Sequence, residues 1–351
     1  MGTSRGRDCE RVRYAPTGRL IAFVCAFCAP SFATAAVSAA ELHLGVPIAC
    51  RPEDDCSIQN YVDLKPGPGV RDFGCGVLTY DGHRGTDFQV RDLARTKAGV
   101  PVVAAAPGVV RSVRDGMPDT GKKGYDAGGE TDRALGNAVA VDHGKGWTTF
   151  YGHLRDGSLK VRPGDRVAKG QVLGEVGLSG NTEFPHLHFE VRKQGAVVDP
   201  FTGAGPGSIC GETSGSLWET AARAQLRYTP TGAVCTGWSA SPPDRSAVLE
   251  DCERPPAVSP SSPAIVGWIE IFGLQKGDEI RVRLSGPDGS ALAEAAGVVE
   301  NDSARQFRYV GRKRPADGWT KGMYRARYTV TRSVKGERQA VIDLTRGIDM
   351  R

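Results

Sequence analysis

Apolar and polar residues alternate with a period of two along much of this chain, in short runs broken by glycine, proline, asparagine and aspartate, the pattern of half-buried strands. The clearest run is His186-Leu187-His188-Phe189-Glu190-Val191-Arg192. It predicts a strand that buries Leu187, Phe189 and Val191 and holds its two imidazoles on the other face, about 6.6 Å apart at roughly 3.3 Å per residue. Residues 138–143 and 147–153 read as further strands, the second placing Trp147, Thr149, Tyr151 and His153 on one face. Residues 100–113, with Pro107-Gly108 between two apolar runs, predict a hairpin. Beyond residue 264, short alternating runs at 268–272, 279–284, 307–310, 323–330 and 340–344 predict a small β-sandwich of immunoglobulin-like type. The fold class is therefore mainly β: an antiparallel sheet domain followed by a small immunoglobulin-like sandwich.

Three stretches break the alternation. Residues 1–40 carry Arg5, Arg7, Arg11, Arg13 and Arg19 ahead of an apolar run at 20–29 and then small residues, the layout of a secretory signal peptide. Residues 114–136 are rich in glycine and without period, so they are a long inserted loop, the kind of segment that walls a cleft or merely makes a solvated excursion. Residues 203–264 mix a strand or short helix near 217–228 with Pro, Ser and Cys, and end in a Pro/Ser run at 255–263 that reads as a semi-rigid linker. The expected divisions are signal peptide 1–40, first domain 41–202, connector 203–264 and second domain 265–351.

Charge and cysteine usage narrow the setting. The formal net charge is +5, and removing residues 1–40, with five arginines, Asp8 and Glu10, leaves +5 − (5 − 2) = +2. A near-neutral mature chain gives no reason to expect nucleic acid as a partner. After the signal no segment is apolar for long enough to span a membrane. Cys50, Cys56, Cys75, Cys210, Cys235 and Cys252 remain, none in a Cys-x-x-Cys pair, which argues against a thiolate metal site and for disulfides in an exported protein, periplasmic or extracellular. If all six pair within the chain, at least one bridge joins the first three to the last three.

The chemistry gathers in three short pieces that hold four of the six histidines: Asp81-Gly82-His83-Arg84-Gly85-Thr86-Asp87, Tyr151-Gly152-His153-Leu154 and Pro185-His186-Leu187-His188. A flat strand would hold His83 and Asp87 about 13 Å apart, too far to share one ion, and the glycines make a poor helix. A curved loop or strand end, with Gly85 supplying the bend, is the remaining geometry. Two histidines and one carboxylate around an open fourth position is the ligand set of catalytic zinc; structural zinc is usually closed by four ligands rich in cysteine. His43 and His143 are read as structural. Glu190 shares the strand face of His186 and His188 and is read as a surface carboxylate rather than a partner of the site.

Together these pieces resemble the signature of the lysostaphin/LytM-type zinc endopeptidases, His-x-Gly-x-Asp as His83 to Asp87 and His-x-His as His186 to His188. The run Val161-Arg162-Pro163-Gly164-Asp165 through Gly174 and Ser179-Gly180-Asn181-Thr182 also resemble that family, over residues 44–202 in all. The resemblance implies zinc (Zn2+) ligands at His83, Asp87 and His188, with His153 and His186 as the two non-ligand catalytic histidines. It implies hydrolysis of peptide cross-links in bacterial peptidoglycan, with stem peptides or cross-bridges as substrate. No His-Glu-x-x-His helix supplies a glutamate base here, so His186 or His153 is the expected proton acceptor. The alternative is a catalytically silent module of the same family that activates another wall hydrolase. A carrier domain modified at Lys169 would share the Pro-Gly-Asp turns of 161–177 but would need no histidine cluster. Arginine and tyrosine in the C-terminal domain suit a protein or wall partner, although a half-exposed sheet accounts for them more simply.

Overall fold

The computed structural model describes residues 42–51, 55–123, 133–252 and 258–351. The expected signal peptide, the 124–132 portion of the inserted loop and the 255–257 portion of the linker lie outside them.

The first sheet is assembled from β1 (Cys56–Asn60), β2 (Thr86–Val90), β4 (Gly108–Arg114), β5 (Asn137–Gly144), β6 (Trp147–Leu154), β7 (Arg166–Val167), β9 (His186–Lys193) and β10 (Ala196–Val198), with the short helix α1 (Leu93–Ala98) after β2. Its order is β1-β2-β9-β6-β5-β4-β7, with β10 on β9, and all pairings are antiparallel. The alternation of β9 is what makes it central: Leu187, Phe189 and Val191 are fully buried on one side, each burial worth roughly 1.5–3 kcal/mol. α1 begins where Asp92 caps it, its carboxylate accepting the Arg95 amide at 2.8 Å, and ends at Gly99.

The predicted hairpin over 100–113 is corrected. β3 (Pro101–Val103) and β4 are both strands, but β3 pairs with β8 (Val172–Glu175) in a separate two-stranded sheet while β4 pairs with β5 and β7. Between them Ala104, Ala105 and Ala106 are all buried, and Ala105 donates its amide to the Tyr151 hydroxyl at 2.8 Å. Period-two alternation marks a strand without naming its partner. The turns at Pro163-Gly164 and Lys169-Gly170 are present, with Gly164 and Gly170 at φ 92° and 82°, and Lys169 pairs with Glu219 at the surface, 2.5 Å apart.

After α2 (Thr220–Gln225), β11 (Gly232–Ser239), α3 (Arg245–Glu250), β12 (Ala264–Leu274), β13 (Glu279–Ser285), β14 (Ala291–Val298), β15 (Ser303–Lys313), β16 (Gly322–Val334) and β17 (Glu337–Met350) form two sheets, β11-β12-β15 and β14-β13-β16-β17. All five alternating runs predicted beyond residue 264 fall within strands, and β11 adds a partner from the connector. The two faces of β12 go to different places. Ile265, Ile269 and Ile271 pack on Ile280, Val282, Leu284 and Tyr328 to fill the sandwich. Trp268 and Phe272 belong instead to the core of the first sheet, together with Phe88, Phe189 and Trp218.

Among the described residues three disulfides close the chain: Cys50–Cys56, Cys75–Cys210 and Cys235–Cys252. Cys75–Cys210 spans 135 residues and is the expected link between the two groups of cysteines.

Candidate metal centre

The register of β9 against its neighbours builds the site. On one side Asp87 of β2 lies directly opposite His188. On the other, Gly152 of β6 is opposite His188, so the residue that follows it is carried to the same place. His83 arrives from the turn before β2, its ring against that of His188 with centroids 5.1 Å apart. One ligand atom from each of His83, Asp87 and His188 lies within 4.8 Å of the other two. His83 Nε2 is 3.2 Å from Asp87 Oδ2 and 3.3 Å from His188 Nδ1, and His188 Nδ1 is 2.8 Å from Asp87 Oδ1. All three are buried. The turn that delivers His83, closed by its amide on the Tyr80 carbonyl at 2.9 Å, uses Gly82 at φ 73°. Gly85 lies at the bend expected of it, immediately before β2, and also leaves room for a neighbour: a Cβ there would sit 2.6 Å from the His188 ring.

Carbonyl oxygens only accept, so they fix the tautomers of three histidines. His83 donates Nδ1–H to the Tyr61 carbonyl at 2.7 Å, which leaves Nε2 as a lone-pair donor facing Asp87 and His188. His153 donates Nδ1–H to the Ser179 carbonyl at 2.7 Å, and His186 donates Nδ1–H to the Phe184 carbonyl at 3.0 Å with the Thr182 hydroxyl 3.1 Å away. Each of the latter two keeps Nε2 for a lone pair. His188 is turned the other way, with Nδ1 at Asp87 and Nε2 3.8 Å from Glu190 Oε2.

His153 departs from the face predicted for it. Strict alternation would put it beside Tyr151 in the core, but its φ is +59°, and its ring instead lies 4.5 Å from that of His186 and 6.1 Å from that of His188. A left-handed backbone at a non-glycine residue costs of order 1–3 kcal/mol and persists where the surroundings impose it. Here the Leu135 carbonyl accepts the His153 amide at 2.7 Å, and the His153 carbonyl accepts the Gly177 amide at 3.0 Å.

Electrostatics divide the two kinds of histidine. Burial pulls the His153 pKa well below the usual value, and the neighbouring His186 and His188 charges pull it the same way, so it is neutral near pH 7. Burial also opposes the charge on His188, but the Asp87 hydrogen bond and the charges of Asp87 and Glu190 outweigh it and raise that imidazole to about 9. Burial raises Asp87, yet His83 and His186 more than offset it and the carboxyl stays ionised.

Glu190 corrects another expectation. It is fully buried rather than on the surface, because Phe150, opposite it on β6, and Arg192, whose Nε donates to Oε1 at 2.5 Å, cover it. Asn60 of β1 had no signal in the sequence, since β1 itself lies in a stretch read only as an approach to the site; its amide donates to Asp87 Oδ2 at 2.9 Å. His143 is structural as expected, its ring bonded to the Pro107 carbonyl and the Thr149 hydroxyl.

The donor set, two imidazole nitrogens and a carboxylate with one ring anchored behind by a carbonyl, suits a divalent metal. The model of Peptidase family M23 matches residues 81–200, a span that holds His83, Asp87, His153, His186 and His188. Residues 81–200 are a Peptidase family M23 domain. A relative described as an uncharacterized metalloprotease of Haemophilus influenzae is 36% identical over 132 residues, which are 38% of this chain and 23% of that protein. The peptidoglycan DD-endopeptidase ShyC of Vibrio cholerae is 32% identical over 120 residues, 34% of this chain and 22% of its own length. The matched stretches thus span under a quarter of either relative. Among solved structures, the catalytic domain of the prophage-encoded M23 protein EnpA from Enterococcus faecalis aligns at 26% identity over 45% of this chain and 92% of its own, with a TM-score of 0.29. Among the described residues, no helix is long and apolar enough to cross a membrane.

Proposed function

We propose that this M23-domain chain is a zinc-dependent endopeptidase that hydrolyses peptide cross-links of bacterial peptidoglycan, exported to the periplasm or the cell exterior. The observation that carries the reading is the convergence of His83, Asp87 and His188 within 4.8 Å beside two further histidines whose Nδ1 atoms are already engaged by carbonyls. His83 Nε2, His188 Nδ1 and an Asp87 oxygen would hold the ion, and zinc bound there supplies Lewis acidity toward a peptide carbonyl and toward water. The chain's own residues handle the protons. His153, neutral near pH 7, accepts a proton at Nε2 while its Nδ1–H stays on the Ser179 carbonyl. The proton taken up there returns to the leaving amine, either from His153 itself or through the Nε2 of His186, which is held through Nδ1 by Phe184 and Thr182 and can accept it first. A buried site with two oriented imidazoles excludes bulk water and keeps both rings from swinging to other tautomers.

The test is the metal content of the purified protein together with release of fragments from wall sacculi, read by mass spectrometry on defined muropeptides. The expected result is stoichiometric zinc and cleavage, both lost in His83→Ala. Stoichiometric zinc with every wall preparation left intact overturns the enzyme and leaves a silent module that acts on another hydrolase.

A further inference from the structure

The inserted segment meets the site from both of its described ends: Leu135 at the far end accepts the His153 amide, and the near end approaches through two loops. From Asp115 to Lys122 it lies along two loops, one immediately after β6 and one at residues 177–183, and its bonds to them are specific. One oxygen of the Asp119 carboxylate accepts the Asp156 amide at 3.0 Å, and the other accepts the Leu178 amide at 2.7 Å. Asp115 accepts the Gly157 amide at 2.9 Å. The amides of Gly121 and Lys122 donate to the carbonyls of Leu178 and Thr182, both at 2.8 Å.

These anchor points flank the least comfortable residue of the site. Asp156 comes three positions after His153, and Leu178 immediately precedes Ser179, whose carbonyl takes the His153 Nδ1–H. The same carboxylate therefore ties the chain that carries the imidazole to the chain that carries its acceptor. The fit is close, since a Cβ at Gly177 would lie 2.5 Å from Asp119 Oδ1. Asp119 is otherwise exposed, so its carboxylate could have stayed in water; charge-assisted bonds to two backbone amides are stronger than neutral ones and hold it in place.

We propose that Asp119 is a positioning residue that fixes His153 in its left-handed, carbonyl-bonded orientation by bridging the Asp156 and Leu178 amides. The proposal rests on the reading of His153 as a proton acceptor in a peptidase. Its structural half stands independently of any cleavage. Without the bridge, the two loops keep the Gly177 amide on the His153 carbonyl and the Ser179 hydroxyl on the Leu154 carbonyl but lose their clamp at 156 and 178, so the Ser179 carbonyl loosens from Nδ1 and the imidazole gains tautomeric and rotational freedom.

The experiment compares Asp119→Ala and Asp119→Asn with the parent protein, each as the full exported chain loaded with zinc. Asparagine keeps one carbonyl acceptor and so restores part of the bridge, which also guards against an alanine variant that fails to fold. Nitrogen-resolved proton NMR of the imidazole N–H groups reads His153 directly, with the His83 Nδ1–H on the Tyr61 carbonyl as an internal control. Expected are loss or exchange broadening of the His153 signal in Asp119→Ala, partial retention in Asp119→Asn, and an unchanged His83 signal with full zinc. On a wall substrate kcat should fall about tenfold or more with KM within about twofold, because oriented catalytic groups act on the chemical step. A retained His153 signal in both variants, or zinc lost along with it, overturns the positioning role. If the parent cuts nothing, the NMR comparison alone decides the proposal, and the peptidase reading fails separately.

Discussion

Glu190 Oε2 is buried, has no hydrogen-bond partner among the described residues, and stands 3.8 Å from His188 Nε2. A shift of under an ångström makes that contact a carboxylate–imidazole hydrogen bond, the arrangement that raises the basicity of a metal-ligating histidine and holds its ring. Glu190→Gln should weaken zinc binding by roughly 10–100-fold with the fold intact. Competition against a fluorescent chelator checks this; an unchanged affinity would make Glu190 a partner of Arg192 alone.

The same contact sets a pH dependence. In the metal-free protein Asp87 and Glu190 hold the His188 imidazole at about 9 against the effect of burial, so a proton occupies the ligand atom at neutral pH. A metal must displace it. Apparent zinc affinity should therefore rise by about tenfold per pH unit between pH 6 and 8 and level off above about 9. Titrations giving one affinity throughout that range would contradict the assignment of His188 Nδ1 as a ligand.

His153→Ala separates holding the metal from moving the proton. Its ring reaches the site only through neighbouring imidazoles, so zinc content should remain at one per chain, while kcat falls by roughly 10²–10⁴-fold, the usual contribution of general acid–base catalysis. The measurement is elemental analysis beside the turnover of a defined muropeptide. Loss of zinc in this variant would place His153 among the ligands.

Asp199 offers a stability test away from the chemistry. It is fully buried with Oδ2 unpartnered, and burial raises its carboxyl from 3.8 to about 7, although the amides of Thr202 and Phe201 partly offset the rise. The folded state thus holds this proton more tightly than the unfolded chain does. Stability is full below pH 4 on this account and is lost as pH rises from about 4 to about 7, by up to about 4 kcal/mol. Asp199→Asn keeps an acceptor for the two amides and removes the charge, so its melting temperature should exceed the parent's at pH 8 and converge with it near pH 4. Parallel melting curves at both pH values would refute the buried charge.

How much of this was legible beforehand depended on whether a local pattern carried it. The face of β9 and the existence of β6 were readable because alternation is a property of neighbouring residues, whereas His83 and Asp87 were brought to the histidines of β9 only by motif resemblance, without β2 being read as a strand. The hairpin at 100–113 failed because strand pairing is decided by distant segments, here β8 for β3. His153 was read on the face of Tyr151, but its positive φ, held by Leu135 and Gly177, turns its ring toward His186 and His188, and neither neighbour marks the residue itself. Glu190 was read as exposed because one carboxylate in an alternating strand looks like any other until its cross-strand neighbours are known. Asn60 stood in a strand with no strong period, bounded by a disulfide that sequence alone does not connect.

The division of β12 between two cores bears on the order in which the chain matures. Trp268 and Phe272 supply part of the interior behind β2 and β9, and β12 is paired on its far side by β15, which ends at Lys313. As the polypeptide emerges from a ribosome or a translocation pore, the histidine-bearing half has no complete lining until the chain has emerged as far as Lys313. The interior behind the histidines is thus finished late, by residues far downstream of them.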